Sequence, residues 1–470
     1  MDELKDMSAR EIGKAVNNKQ ISPTEVLQYF EKRIEEENPK LNAIVYIKFD
    51  EAYERAKELE KELDKGAYYP LAGVPFALKD FLPSKKGWTN THGGVKSLQA
   101  VDSESSEFCK AMESLGGIAI GKTNAPSFGF SGLTDNKMYG ATRNPFNTKY
   151  NSGGSSGGSA SAVGGKLLPV AEGGDGGGSI RVPSAWCNCV GYKPSVGRVP
   201  SVCRPDAWTA THPYCFNGCI TRTVEDAAII YNQMFRYNPR DPLSCILPVD
   251  ISKIVYQKGN LKDIVIGVTY DWNCFKNVDS EIVNAIENAI KKFESLGAKV
   301  VPVTPNIKTS LKELSEMWCR SISIDTAYDL ECWKEDGLNL YEKEDELPEG
   351  FLDWQKIAIN STVSDYKRFN EIRTELLDAH EDIFDNGIDI IISPVTVINP
   401  VENGKEKGTT RIPSDSQIEF AETFFQNFTG HPACSLPCGF TKEGLPIGIQ
   451  IVGKKYYDAQ MFYLMSRFYN

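Results

Sequence analysis

The chain has few histidines, no excess of positive charge and no long apolar run. Only 4 of its 470 residues are histidine, and 52 Lys plus Arg face 63 Asp plus Glu, a formal net charge of −11. An acidic chain does not favour a polyanionic partner, so we expect no nucleic-acid binding and no polybasic membrane contact. No apolar run approaches roughly 18 residues, so we also expect no segment that spans a membrane.

Cysteine is too sparse for a disulfide-stabilised scaffold, because 12 cysteines stand among 470 residues. Two pairs share a spacing of three intervening residues: Cys215 with Cys219, and Cys434 with Cys438. This spacing leaves a four-cysteine zinc site open. Free cysteine more commonly serves as a small core residue, and we therefore expect no bound metal. Unpaired thiols and an acidic start without an apolar leader predict a cytoplasmic protein.

Helical patterns alternate with short apolar runs along the chain, without an internal repeat or a clear linker. Capping-box spacings at Ser8 and Ser22 predict two helix starts, and a third helical pattern covers about 51–65. These helices make up a predicted N-terminal region, residues 1–70. The alternation predicts an α/β fold whose sheet is covered on both faces. A charged, irregular segment at 330–352 indicates an insertion over the core.

The apolar runs predict buried strands, and the longer periodic stretches between them predict helices. The predicted strands lie at 74–78, 117–120, 167–170, 264–268, 298–303, 388–392 and 447–452. The later predicted helices include 280–296 and 363–384. One run overlaps residues 116–123, which match the P-loop pattern letter for letter. Its variable positions are mostly β-type apolar residues and Pro126 follows at once, so we interpret it as a strand and not as a nucleotide site.

Glycine and serine are concentrated between residues 151 and 179. A flexible linker is one interpretation of such a composition. Apolar runs bound each glycine cluster, however, and an apolar segment follows Ser179 without a break. Glycine at this density inside a packed fold indicates backbone that approaches a ligand closely and directs amides into a site.

Residues 153–157 match G-x-S-x-G, the nucleophile elbow of α/β-hydrolases. That elbow needs an acidic residue and then a histidine further along the chain, and His431 has the best position in sequence order. A Ser-His-Asp hydrolase that uses Ser155 is therefore one alternative.

The same stretch resembles the amidase signature family. The matching segments are 71–80, 153–159, 178–183, 190–199, 221–228, 427–437 and 444–450. The resemblance covers essentially the whole chain, with its signature core at 71–230, and is least clear from 309 to 362. It implies one α/β amidase domain over residues 1–470, with a large mixed β-sheet core flanked by helices on both faces.

The resemblance implies a Ser-cisSer-Lys triad that works through an acyl-enzyme. Ser179 would be the nucleophile, Ser155 the bridging serine after a cis peptide bond, and Lys79 the base. The backbone amides of four consecutive residues would form the oxyanion hole: Gly176, Gly177, Gly178 and Ser179. The chemistry is coherent, because a neutral lysine can replace histidine as the base and consecutive glycines can turn their amides toward an oxyanion.

The neighbours of the triad are expected to support it. Asp175 and Arg181 would hold the glycine loop without taking part in the chemistry, and His92 is either a substrate contact or a structural residue. Burial behind the 74–78 strand should lower the pKa of Lys79 from its ordinary value of about 10.4. A nearby carboxylate would oppose that shift, so we expect Asp80 to point its carboxylate away from Lys79.

Residues 173–179 read GGDGGGS, where many members of the family read GTDTGGS. This variant resembles the branch that contains the 6-aminohexanoate-cyclic-dimer hydrolases, the nylon-oligomer amidases. It implies an amidohydrolase for a linear or cyclic carboxamide, with a small-molecule amide substrate, no cofactor, and a monomer or homodimer. An A-type subunit of a glutamyl-tRNA amidotransferase is the other alternative, and it would depend on a partner protein.

Overall fold

The computed structural model describes residues 3–81, 84–246, 250–404 and 420–469. These ranges contain fourteen α-helices: α1 (Ala9–Asn17), α2 (Pro23–Leu41), α3 (Phe49–Asp64), α4 (Glu107–Ser114), α5 (Gly157–Gly164), α6 (Arg181–Trp186), α7 (Val224–Met234), α8 (Ile251–Ile254), α9 (Ser280–Ser295), α10 (Leu311–Glu335), α11 (Phe351–Ile359), α12 (Val363–Asp385), α13 (Phe425–Thr429) and α14 (Asp458–Tyr469). The same ranges contain thirteen strands: β1 (Ile44–Ile47), β2 (Pro75–Lys79), β3 (Thr89–Asn90), β4 (Ala100–Val101), β5 (Ile118–Thr123), β6 (Val170–Asp175), β7 (Val190–Lys193), β8 (Phe216–Thr221), β9 (Val265–Val268), β10 (Lys299–Pro302), β11 (Ile390–Pro394), β12 (Ala433–Phe440) and β13 (Pro446–Gly453).

Eleven of these strands form one mixed sheet, in the order β1-β5-β2-β6-β8-β7-β12-β13-β11-β9-β10, and β3 pairs with β4 apart from it. Strand β2 runs parallel to both of its neighbours, β5 and β6. The carboxyl ends of β2 and β6 therefore lie at the same edge of the sheet, where ligands commonly bind in α/β folds. Lys79 is the last residue of β2 and Asp175 is the last residue of β6.

The sheet has an apolar core on each face, as the sequence predicts. Successive side chains of a strand point to opposite faces. In β11, Ile390 and Ile392 belong to one buried apolar cluster while Ile391 belongs to another. The first cluster includes residues of α1, α2, α4, α7, α9 and α14, and the second includes residues of α6, α10, α11, α12 and α13. The α/β class and the helices that flank the mixed sheet are thus confirmed.

Most of the predicted elements are confirmed, including both capping boxes. The hydroxyls of Ser8 and Ser22 accept the amides of Glu11 and Glu25 at the starts of α1 and α2. The P-loop look-alike is the buried strand β5. The predicted strand at 167–170 is wrong except for its last residue, because β6 begins only at Val170. The amides of residues 167 and 168 instead bond the Ala162 carbonyl and close the end of α5.

The segment at 330–352 is more regular than predicted. Helix α10 continues to Glu335, two 3₁₀ turns follow at Leu340–Glu342 and Glu344–Glu346, and α11 begins at Phe351. Leu340 and Leu347 are buried in the apolar cluster that α10 and α11 share. Its status as an insertion stays a prediction, as does the division at residues 70 and 230. No helix within the described ranges combines the length and apolarity needed to cross a membrane.

Candidate active site

A lysine and a serine are in direct contact at the carboxyl edge of β2. Lys79 and Ser155 are both buried, and Lys79 Nζ donates a hydrogen bond of 2.7 Å to Ser155 Oγ. The peptide bond between Gly154 and Ser155 is cis, as the resemblance implied. Lys79 ends β2, and Ser155 lies two residues before the start of α5. The site therefore places an amine against a hydroxyl, away from bulk water.

The environment of Lys79 favours its neutral form. Burial lowers the pKa of Lys79 to about 7, although the carboxylates of Glu172 and Asp175 oppose this shift. Asp80 directs its carboxylate to Thr91, whose amide and hydroxyl both bond it, and to Lys122, whose Nζ lies 3.7 Å away. The expectation that the carboxylate of Asp80 points away from Lys79 is confirmed. A substantial fraction of Lys79 is therefore neutral at physiological pH.

Ser179 faces the same cavity as Lys79 and Ser155. The cavity has a volume of about 410 Å³. Ser179 is half-buried at the turn before α6, and its carbonyl accepts the amide of Ser156 at 3.1 Å. This bond joins the segment that carries Ser179 to the segment that carries Ser155. The two serines and the lysine thus line one cavity from three different parts of the chain.

In the glycine loop between β6 and Ser179, three of the four amides predicted for the oxyanion hole are free of a hydrogen-bond acceptor among the described residues. The amide of Gly178 already donates to Asp175 Oδ1 at 2.8 Å, which speaks against the predicted contribution of Gly178 to an oxyanion hole. The amides of Gly176, Gly177 and Ser179 have no hydrogen-bond acceptor within the described part of the chain, and all three residues line the cavity. Two free amides in a half-closed site are sufficient to bind a developing oxyanion.

Asp175 and Arg181 form a fully buried ion pair behind this loop. Arg181 Nη2 lies 2.9 Å from Asp175 Oδ1, and Arg181 also donates to side-chain oxygens of three residues: Gln426, Asn427 and Gln450. Burial by itself would raise the pKa of Asp175, but the charge and hydrogen bonds of Arg181 hold it at about 2. The carboxylate is therefore ionised, and it anchors the amides of Gly178 and Ile180. Both residues thus hold the glycine loop, and their lack of a part in the chemistry stays a prediction.

Glu172, which belongs to none of the motifs in the sequence, lies beside the lysine. Its carboxylate accepts the backbone amide of Lys79 at 3.1 Å and the hydroxyl of Ser106 at 2.9 Å. Burial raises the pKa of Glu172 to about 7, although the amide of Lys79 opposes the shift. A charged residue in the middle of an apolar, glycine-rich run was the available signal. The carboxyl groups that influence Lys79 are thus Glu172 and Asp175.

One face of α10 forms a wall of the cavity. Trp318, Ile322, Asp325 and Trp333 all line it. Their spacing of four, seven and fifteen residues from Trp318 places them on one side of a helix. This helix lies in the part of the chain where the family resemblance is least clear, so the sequence analysis did not identify them.

Three rings meet at one end of the cavity. The ring centroid of His92 lies 6.1 Å from that of Phe128 and 5.9 Å from that of Trp333, and all three residues line the cavity. Burial lowers the pKa of His92 to about 4, so the imidazole is neutral at physiological pH. Of the two roles expected for His92, this position fits a substrate contact.

Two alternatives from the sequence lack structural support. His431 contacts Thr429 through Nδ1 at 2.8 Å and lies 3.4 Å from Glu381 through Nε2, and it does not line the cavity. The serine that a Ser-His-Asp hydrolase would use is instead bonded to Lys79. Within the described ranges, no three His, Cys, Asp or Glu side chains gather as metal ligands would, so this part of the chain gives the four-cysteine zinc alternative no support.

The Amidase family model matches residues 25–462 of the chain. An acylamidase from Rhodococcus erythropolis is 30% identical, an alignment that covers 98% of this chain and 94% of that protein. The A-type subunit of the glutamyl-tRNA(Gln) amidotransferase from Brachyspira hyodysenteriae is 29% identical, and the alignment covers 98% of each chain.

Solved structures give the same result. A bacterial aryl acylamidase of the amidase signature family superposes with a TM-score of 0.93 at 37% identity, covering 98% of this chain and 95% of that one. A 6-aminohexanoate cyclic dimer hydrolase superposes with a TM-score of 0.87 at 28% identity, covering 99% and 96%. The chain therefore belongs to the amidase signature family. It is an amidohydrolase that acts on carbon–nitrogen bonds other than peptide bonds.

Proposed function

We propose that the protein hydrolyses the N-acyl bond of a small carboxamide through an acyl-enzyme on Ser179. The observation that carries the proposal is the buried 2.7 Å hydrogen bond between Lys79 Nζ and Ser155 Oγ, in the cavity that Ser179 also faces. A neutral Nζ has a lone pair, so the same contact allows it to take a proton from Ser155. Ser155 in turn takes the proton of Ser179, whose Oγ attacks the amide carbon.

The proton then returns along the same path to the leaving amine. The C–N bond breaks as Ser155 delivers the proton from Lys79, which leaves an acyl ester on Ser179 and a free amine. A water molecule then attacks the ester and gives a proton to the same relay, which returns it to Ser179 Oγ as the ester C–O bond breaks and the acid is released. In both steps the amides of Gly177 and Ser179 would stabilise the oxyanion, and each such donor is worth roughly 3–4 kcal/mol.

We propose an amide with an aromatic or extended apolar group as the substrate. The rings of His92, Phe128 and Trp333 present an apolar surface of the kind that takes a flat group. An acylamidase and an aryl acylamidase among the similar proteins point in the same direction. A linear or cyclic 6-aminohexanoate amide is the second candidate, supported by the similar cyclic dimer hydrolase and by the space that Gly176 leaves beside Cys215 and Ile322.

The test of this function is Ser179→Ala. We expect it to abolish hydrolysis of an N-acyl anilide, an aliphatic amide and a 6-aminohexanoate dimer, and to prevent labelling by a fluorophosphonate probe. The wild type should turn over the anilide fastest. The matched control is Ser184→Ala on the neighbouring helix α6, where the buried hydroxyl has no hydrogen-bond partner among the described residues. Ser184→Ala should keep both amide hydrolysis and labelling by the probe. Labelling of Ser155 or Ser156 in Ser179→Ala would identify a different nucleophile.

A further inference from the structure

Each backbone carbonyl from Asp175 to Gly178 accepts a hydrogen bond from a residue outside this segment. The four pairs are Asn427 Nδ2 on the Asp175 carbonyl at 2.8 Å, Trp318 Nε1 on Gly176 at 3.0 Å, Thr423 Oγ1 on Gly177 at 2.7 Å, and the Val182 amide on Gly178 at 2.7 Å. In a trans peptide the carbonyl and the following N–H point in opposite directions. Each donor therefore also sets the direction of the next amide in the loop.

The bond from Trp318 sets the direction of the Gly177 amide. This amide belongs to the same peptide unit as the Gly176 carbonyl, so it points away from the indole. It is one of the amides without an acceptor among the described residues, and Gly177 lines the cavity. The Gly178 amide, by contrast, is held by Asp175 and is not available. A residue that sets the direction of the Gly177 amide therefore sets the direction of a proposed oxyanion donor.

The indole also packs directly on the loop. A Cβ atom added at Gly177 would lie 2.5 Å from Cζ2 of Trp318, and Trp318 itself is 1% exposed. The indole is therefore packed against the loop and has little contact with bulk water. Thr423, which is 246 positions from Gly177 in the sequence, donates a hydrogen bond to the Gly177 carbonyl. The loop has little freedom to rotate the peptide unit between Gly176 and Gly177.

We propose that Trp318 is a positioning residue for the oxyanion hole, which acts by holding the Gly177 amide toward the reacting carbonyl. The proposal rests on the acyl-enzyme chemistry proposed above. It also gives α10 two roles, because the helix face that carries Ile322 and Asp325 lines the substrate cavity. The helix that shapes the pocket would then also support the transition state.

The experiment compares Trp318→Phe with Trp354→Phe. Both variants remove an indole N–H from a buried tryptophan, but Trp354 Nε1 has no partner within the described ranges and Trp354 does not line the cavity. For Trp318→Phe we expect kcat to fall about 10- to 100-fold while KM stays within about twofold, because an oxyanion donor acts on the transition state. Trp354→Phe should keep kcat within about twofold.

A second readout separates positioning from packing. Phenylboronic acid forms a tetrahedral adduct on a nucleophilic serine, so its affinity should fall in Trp318→Phe by about the same factor as kcat/KM. A Trp318→Phe enzyme with normal kcat and boronate affinity, or one in which only KM rises, overturns the proposal. If this variant does not fold, β-(3-benzothienyl)alanine in place of Trp318 keeps the bicyclic shape without the N–H, and the same outcomes apply.

The same experiment distinguishes failure of this inference from failure of the proposed function. If the wild type neither hydrolyses an amide nor binds the probe on Ser179, the acyl-enzyme function is wrong. If the wild type does both and Trp318→Phe behaves like Trp354→Phe, only the role of Trp318 is wrong.

Discussion

Lys79 lies at the end of a buried strand, and its amine contacts a serine hydroxyl. Its Nζ lies 2.7 Å from Ser155 Oγ and 5.5 Å from the centre of the Phe81 ring. Burial disfavours the ammonium form, and the carboxyl groups of Glu172 and Asp175 limit how far the pKa falls. These opposing effects place the pKa of Lys79 at about 7, so about half of the amine is neutral near pH 7.

We expect kcat/KM to rise with pH and to level off once Lys79 is neutral. Because the base acts only when deprotonated, the midpoint of the rise should lie near pH 7, below which activity is lost. Lys79→Ala should lose about 10²- to 10⁴-fold in rate at pH 7 and recover partly at high pH, as hydroxide replaces the base. Steady-state rates from pH 5 to 10 measure both effects.

A wild-type profile that is flat from pH 6 to 10 would contradict this role for Lys79, as would near-normal activity of Lys79→Ala at pH 7. Thermal unfolding of both proteins at each pH is the control, because a loss of folded enzyme would imitate a loss of base.

The glycine loop between β6 and α6 has different reasons for glycine at its successive positions. Gly178 has a φ of +120°, and a Cβ there would lie 1.9 Å from Thr423 Oγ1. At Gly177 the obstacle is the indole of Trp318, 2.5 Å away. At Gly176 a Cβ would meet Cys215 Sγ at 3.1 Å and a methyl group of Ile322 at 3.2 Å. A side chain at 176 would thus take up cavity space, whereas one at 177 would collide with the support of the loop.

Gly177→Ala and Gly176→Ala should therefore differ. The first should destabilise the fold by about 1–3 kcal/mol and lose most of its activity, because the indole cannot move out of the way. The second should lose less of both, since its neighbours need to shift only slightly. Neither glycine has a positive φ, so the two changes are comparable. Urea unfolding and anilide hydrolysis measure them, and equal losses in both variants would contradict the packing explanation.

At the scale of the molecule, the site is assembled within one chain. Lys79 comes from the end of β2, the glycine loop from the end of β6, and Trp318 from α10, all in one domain with an eleven-stranded sheet in its described part. Some relatives, by contrast, are named as subunits of an amidotransferase. Whether the chain is a monomer or a homodimer, and whether it is cytoplasmic, stay predictions.

We expect the purified chain to hydrolyse its amide substrate without any other protein. The three side chains of the proposed relay need no other protein and no metal, so a chelator should leave the rate unchanged. Size-exclusion chromatography followed by assay of each fraction, with and without EDTA, measures this. Activity that appears only with a co-purified partner protein and a glutamyl-tRNA substrate would support the amidotransferase alternative, and loss of activity with EDTA would reopen the cysteine zinc site.

The sequence alone determined the α/β class, most helices and strands, and the segments that carry Lys79, Ser155 and Ser179. The class and the elements depend on short-range patterns, namely the capping boxes at Ser8 and Ser22 and the apolar runs. The segments that carry the three residues were identified by their resemblance to a family. The strand predicted at 167–170 failed because the turn that closes α5 uses the same apolar residues as a strand would.

Only the tertiary structure decided which groups surround the triad. The bond from Trp318 to the Gly176 carbonyl joins residues 142 positions apart, and the bond from the Lys79 amide to the Glu172 carboxylate joins residues 93 positions apart. The bond from the Gly178 amide to Asp175 joins residues only three positions apart. Its formation still depends on the tertiary structure, because the buried Arg181 sets the direction of the Asp175 carboxylate. The contacts of Trp318 and Glu172 follow from the packing of elements that are distant in sequence, which no local pattern encodes. The pKa shifts follow from the burial that this packing produces.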